Sequence, residues 1–155
     1  MRDAPALVPV AGGQDDLFDR GLNMNDSRGE KTPQMILLVT TRSSQMRPFA
    51  EALGREIRMQ MQTAGSAEEA LDAARRNKIA LAVVDERIGD ISGLDLIKRL
   101  LEIDAFVHTA VLSDADEEEF HNRSEGLGIL TQLARMPEEK DARRLCALLR
   151  EVLPH

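Results

Sequence analysis

Ala80-Leu81-Ala82-Val83-Val84 is an unbroken apolar run that stops on a carboxylate, Asp85. It is too uniformly apolar for a strand with one wet side, so it predicts a strand buried on both faces. A sheet covered on both faces needs helices above and below it. The next residues supply one: Ser92-Gly93 opens a pattern in which Leu94, Ile97, Leu100 and Leu101 form a single stripe. Asp85 then sits where the strand leaves the sheet. In an open α/β sheet, ligands and chemistry collect at that edge.

The same alternation runs through the rest of the chain. Met35 to Thr40 reads as a buried strand, followed by a helix capped by Ser43 or Ser44, with Pro48 in its first turn and Gly54 as its stop. Ile57 to Gln62 alternates with period two, which marks a strand wet on one side and therefore near a sheet edge. Ser66 and Glu69 form a capping box that opens a helix from Ala67 to Arg76. Val107 to Leu112 is the fourth strand, Asp114 to Gly126 an acidic helix, and Ile129 to Ala134 the fifth strand. A last helix begins at Pro137, with Ala142, Leu145, Leu148, Leu149 and Val152 along one face. The expected fold is α/β: a flavodoxin-like (βα)5 three-layer sandwich with a parallel sheet in the order 2-1-3-4-5. Residues 1–34 show no sustained period and carry Pro5, Pro9, Gly12, Gly13 and Pro33, the composition of a disordered leader. The folded domain is expected over residues 35–155.

Composition narrows the function classes. Aromatics are 3% of the chain, with no Trp or Tyr, so the core must be aliphatic. A net charge of −7 opposes any electrostatic grip on nucleic acid or on an anionic membrane. No run approaches the roughly 20 apolar residues of a membrane span. One cysteine, Cys146, excludes an internal disulfide framework and fits a reducing compartment, so a cytoplasmic protein is expected.

Several residues together resemble the receiver domains of bacterial response regulators, from Met35 to about Leu153. Ile36-Leu-Leu-Val-Thr-Thr41 looks like the family's first strand. Asp85, with Gly93 eight residues on and Leu94 starting a helix, looks like the phosphoacceptor loop. Ser113 ends the fourth strand like the family's Ser/Thr switch residue, and Pro137 resembles the proline after the family's lysine. The resemblance implies a non-catalytic signalling module of a two-component or phosphorelay system. Its partners would be a sensor histidine kinase or phosphotransfer protein and a protein target, with a homodimer as a further expectation. With no further domain after Leu153, output is expected to pass through a partner.

The departures from the pattern are as informative. Thr40 and Thr41 stand where the family carries its acidic pair. Mg²⁺ prefers hard oxygen ligands with carboxylate charge, so only weak Mg²⁺ and no other cofactor is expected. The lysine position falls on Arg135 when counted from Ser113 and on Met136 when counted back from Pro137. Arg135 could replace the cation with a fork suited to carboxylate or phosphate; Met136 could not. Gln132 or Leu133 stands near the switch aromatic's place. The chain therefore reads as a degenerate receiver acting through protein–protein contact, with Asp85 either an impaired phosphoacceptor or the centre of a phosphorylation-independent docking module.

A competing class is an FMN carrier, because Thr40, Thr41, Ser43 and Ser44 surround the first strand-to-helix turn. That turn lacks glycine, and no Trp or Tyr exists to sandwich a flavin ring, so ordinary capping explains the hydroxyls better. His108 and His121 lie on different elements without a third ligand, and the acidic run Glu117 to Glu119 suits a solvated helix start. The face formed by the fourth helix, fifth strand and fifth helix would present Leu127, Arg143 and Arg144 to a partner. Phe120 either joins that face or packs inward.

Overall fold

The structure is a computed structural model that describes residues 34–153. The leader expected at residues 1–34 lies outside the described residues except for Gln34, which begins the first strand. The main strands are β1 (Gln34–Val39), β2 (Gln60–Ala64), β3 (Lys78–Asp85), β4 (His108–Leu112) and β5 (Thr131–Leu133). The helices are α1 (Arg47–Ile57), α2 (Ala67–Arg76), α3 (Gly93–Ile103), α4 (Glu117–Ser124) and α5 (Glu139–Val152). All strand pairings in the main sheet are parallel, in the order β2-β1-β3-β4-β5. That is the 2-1-3-4-5 order expected from the sequence, with the polar β2 at an edge.

Alternation along the inner strands divides the core into two layers. Ile36, Leu38, Leu81, Val83, Ala110 and Leu112 pack with Phe49 and Leu53 of α1 and with Leu145 and Leu149 of α5. Leu37, Val39, Ala82, Val84 and Val111 face the other way, onto Ala70 of α2, Leu96, Ile97 and Leu100 of α3, and Phe120 of α4. Both faces of β3 are thus dry, which is why its sequence shows no polar alternation. Phe120 is 6% exposed and packs inward.

Element ends differ from the sequence expectation where tertiary contacts intervene. α1 starts at Arg47 with Met46 as N-cap and no side-chain cap, so neither Ser43 nor Ser44 serves. Met46 is 1% exposed, and its burial fixes the helix entry instead. Gly54 does not stop α1, which runs on to Ile57 and ends with Arg58 in the left-handed region at φ 64°. β2 therefore begins at Gln60 and not at Ile57. α4 is shorter than the helix expected from Asp114 to Gly126, because Asp116 caps it by accepting from the amides of Glu118 and Glu119. Ser66 accepts from the Glu69 amide at 3.1 Å, but Glu69 returns its bond to the Gly65 amide, one residue before the cap. The loop after Asp85 contains a two-residue hairpin, Arg87–Ile88 against Ile91–Ser92, that the periodicity does not show. Its turn holds Gly89 at φ 62°, a conformation that glycine adopts without strain.

Cys146 on α5 lies in the core, away from the carboxyl edge of the sheet. Burial pushes its thiol up to about 11 from an ordinary 9.0, against a smaller lowering by Arg150. The folded state thus keeps the proton after the unfolded chain releases it. Stability is expected to decline as pH rises from 9 towards 11, and Cys146→Ala should flatten that decline in urea titrations. At pH 8, Ellman's reagent should label the native protein only as fast as it unfolds.

Candidate functional site

The parallel register brings the carboxyl ends of β1, β3 and β4 level. Val39 pairs with Val84, and Asp85 with Leu112, so Thr40, Asp85 and Ser113 follow one another across the edge. All three are buried: Thr40 is 1% exposed, Asp85 2% and Ser113 2%. Three polar groups in so dry a place require partners.

Asp85 has several. Its Oδ2 accepts from the Thr40 hydroxyl at 2.9 Å and from Arg42 Nε at 2.9 Å. Its Oδ1 accepts from the Glu86 amide at 2.9 Å. Arg135 Nε stands 4.0 Å from Oδ1 and 3.6 Å from Glu86 Oε2, close enough for charge but beyond hydrogen-bond reach. Of the two residues that could take the lysine position, the structure brings Arg135 towards Asp85, while Met136 is 57% exposed. The Glu86 carboxylate shares Arg135 with Asp85.

Arg42 is the residue that sequence reasoning missed. It lies in the β1–α1 loop, two residues beyond Thr40, and its side chain is 15% exposed. Besides the Asp85 ion pair, its Nη2 donates to the Arg135 carbonyl at 2.9 Å and its Nη1 to Met136 Sδ at 3.2 Å. Thr40 Oγ1 in turn accepts from the Arg42 amide at 3.0 Å. The available signal was a cation just past the strand that neighbours the buried acid, but nothing local marked it as inward-facing.

Thr40 and Thr41, adjacent in sequence, part company in space. Thr40 bonds Asp85, whereas Thr41 is exposed. Ser113 turns its hydroxyl to the Ala115 amide at 3.1 Å and so shapes the β4–α4 loop. Gln132, near the expected aromatic position, donates through Nε2 to the carbonyls of Ser113 and Ala115, both at 2.9 Å. Arg135 closes the circuit by donating its amide to Asp114 Oδ1 at 3.0 Å. Gly93 also serves the site. Its amide donates to the Glu86 carbonyl at 2.9 Å, and a Cβ there would collide with the Asp85 carbonyl oxygen.

A divalent cation does not fit this arrangement. Among the described residues no three His, Cys, Asp or Glu side chains gather as a metal site. The side chains that meet Asp85 Oδ2 are a neutral hydroxyl, Thr40, and a guanidinium, Arg42, neither of which adds carboxylate charge for a metal. Among the described helices none is long and apolar enough to cross a membrane.

No family model matches the chain, and no curated protein does either. Solved structures do. The non-phosphorylated HemR receiver domain of Leptospira biflexa is 25% identical with a TM-score of 0.67, over 79% of this chain and 98% of that one. A CheY-like receiver domain protein of Methanospirillum hungatei is 17% identical with a TM-score of 0.67, over 77% of this chain and 96% of that one. A Burkholderia pseudomallei response regulator, solved with a phosphorylated aspartic acid, a calcium ion and citrate, is 24% identical. It matches with a TM-score of 0.59, over 77% of this chain and 70% of that one. Strand order, helix placement and these matches agree: the described residues have the fold of response regulator receiver domains.

Proposed function

We propose that this chain is a signalling receiver module that works by protein–protein contact, with Asp85 held in an ion pair and not used as a metal-dependent phosphoacceptor. The observation that carries the reading is the ion pair between Arg42 Nε and Asp85 Oδ2 at 2.9 Å. Oδ2 accepts from the Thr40 hydroxyl and from the Arg42 guanidinium, which balances its charge, and the side chain is 2% exposed. A carboxylate that attacks phosphorus needs a free lone pair and a cation to neutralise the incoming oxygens. Here the cation is spent on the nucleophile itself. The module is then non-catalytic, and a histidine kinase, a phosphotransfer protein or a downstream target would recognise its surface. The α4–β5–α5 elements support that role through their charges: Glu117 to Glu119 on α4 and Arg143 and Arg144 on α5 are exposed, while Phe120 stays inside. Mixed charge of this kind favours specificity and rapid encounter over raw affinity.

Incubation with acetyl phosphate and Mg²⁺, followed by intact mass, tests the reading. Wild type is expected to show no phosphoryl adduct. An adduct that disappears in Asp85→Asn would return Asp85 to the role of phosphoacceptor.

A further inference from the structure

We infer that Arg42 is a tethered cation: it fills the place beside Asp85 where a divalent ion would balance the carboxylate, and it clasps three loops into one arrangement. The inference deepens the preceding reading and rests on it, since a module without phosphoryl chemistry needs another source of order at this edge.

The guanidinium uses all three of its nitrogens. Nε meets Asp85 Oδ2 on β3, Nη2 meets the Arg135 carbonyl, and Nη1 meets Met136 Sδ beyond β5. Its own backbone belongs to the β1–α1 loop. A planar fork fixed at one end imposes direction on each of these contacts, which a hydrated point charge would not. Thr40 reinforces the geometry at both ends, because one hydroxyl donates to Asp85 and accepts from the Arg42 amide.

From there the order spreads. The Arg135 amide is tied to Asp114 at 3.0 Å, and Gln132 ties Ser113 and Ala115. The β1–α1, β4–α4 and β5–α5 loops thus form one hydrogen-bonded network that closes on a buried ion pair. Arg42 has a second consequence: its guanidinium occupies Asp85 Oδ2, so it would compete with any metal that took that oxygen.

Two measurements test the inference. The first uses Mn²⁺, followed by the electron paramagnetic resonance of the free ion. Thr40→Asp with Thr41→Asp, which adds two carboxylates, is compared with the same pair plus Arg42→Gln. Removing Arg42 is expected to tighten Mn²⁺ binding at least tenfold. Equal binding by the two proteins, including none by either, overturns the cation role. The second keeps the native threonines and follows amide hydrogen exchange. Arg42→Gln is expected to speed exchange at Arg135 at least tenfold while α2 is unchanged; an unchanged rate at Arg135 overturns the clasp. Neither measurement involves phosphoryl transfer or a partner, so failure here leaves the acetyl phosphate result to decide the function separately.

Discussion

Arg42→Ala is expected to destabilise the protein by about 3–5 kcal/mol, the usual effect of removing one partner from a buried ion pair. The magnitude follows from what is left behind. Asp85 would remain 2% exposed, keeping only the Thr40 hydroxyl and the Glu86 amide, with Arg135 too distant to bond. An unpaired buried carboxylate carries its full desolvation penalty. In a domain of this size the loss corresponds to a fall in melting temperature of roughly 10–20 °C. Thermal and urea unfolding would measure it. The exposed pair Arg55–Glu139, 3.2 Å apart but 63% and 62% exposed, provides the contrast. Arg55→Ala should cost less than about 1 kcal/mol. If the two substitutions cost the same, Arg42 is not holding Asp85. A double-mutant cycle with Asp85→Asn would isolate the coupling, since asparagine keeps the shape of the acid but not its charge.

Gly93→Ala is the second large effect, about 2–3 kcal/mol of destabilisation, read from the urea midpoint. Its sign runs against propensity. Alanine inside a helix is favoured over glycine by about 1 kcal/mol. At the first residue of α3, however, an added Cβ would enter the Asp85 carbonyl oxygen and press on Val84 Cγ1 at 3.2 Å. Both obstacles belong to the central strand, and a backbone oxygen cannot swing aside as a side-chain tip can. Overpacking of a dry site costs about 1–3 kcal/mol, and the position must also keep its bond to Glu86. Gly54 supplies the opposite case on the same chain. It lies within α1 with nothing inside 4 Å of an added Cβ, so Gly54→Ala should stabilise by about 0.5–1 kcal/mol. Opposite signs for two helical glycines would confirm that the clash, and not the helix, decides at residue 93.

The sheet was legible because its signal is periodic and local. Ala80 to Val84 is apolar throughout and Ile57 to Gln62 alternates with period two, and these two readings already put the third strand inside and the second at an edge, although β2 itself runs from Gln60 to Ala64. Sequence spacing likewise delivered Asp85 and Ser113 to one edge, because parallel register follows from strand length. Boundaries were read less well. Ser43 and Ser44 have the chemistry of caps, yet α1 starts at Arg47, where the buried Met46 anchors it.

At the site itself, sequence singled out Asp85 as the acid and offered Arg135 or Met136 as the cation. The nearest cation is instead Arg42, 43 residues from its partner. Charge alone could not reveal this, since the chain has 20 Lys and Arg residues and most cations are solvated. An arginine side chain spans several ångströms through rotatable bonds, so its target depends on which loops the fold brings within reach. Sequence by itself determined a two-faced aliphatic sheet with a carboxylate at the end of its central strand, because burial follows the period of the backbone. Only the tertiary structure decided what meets that carboxylate: a guanidinium from the neighbouring loop and the Thr40 hydroxyl, because charge pairing in a dry edge depends on distance in space and not along the chain.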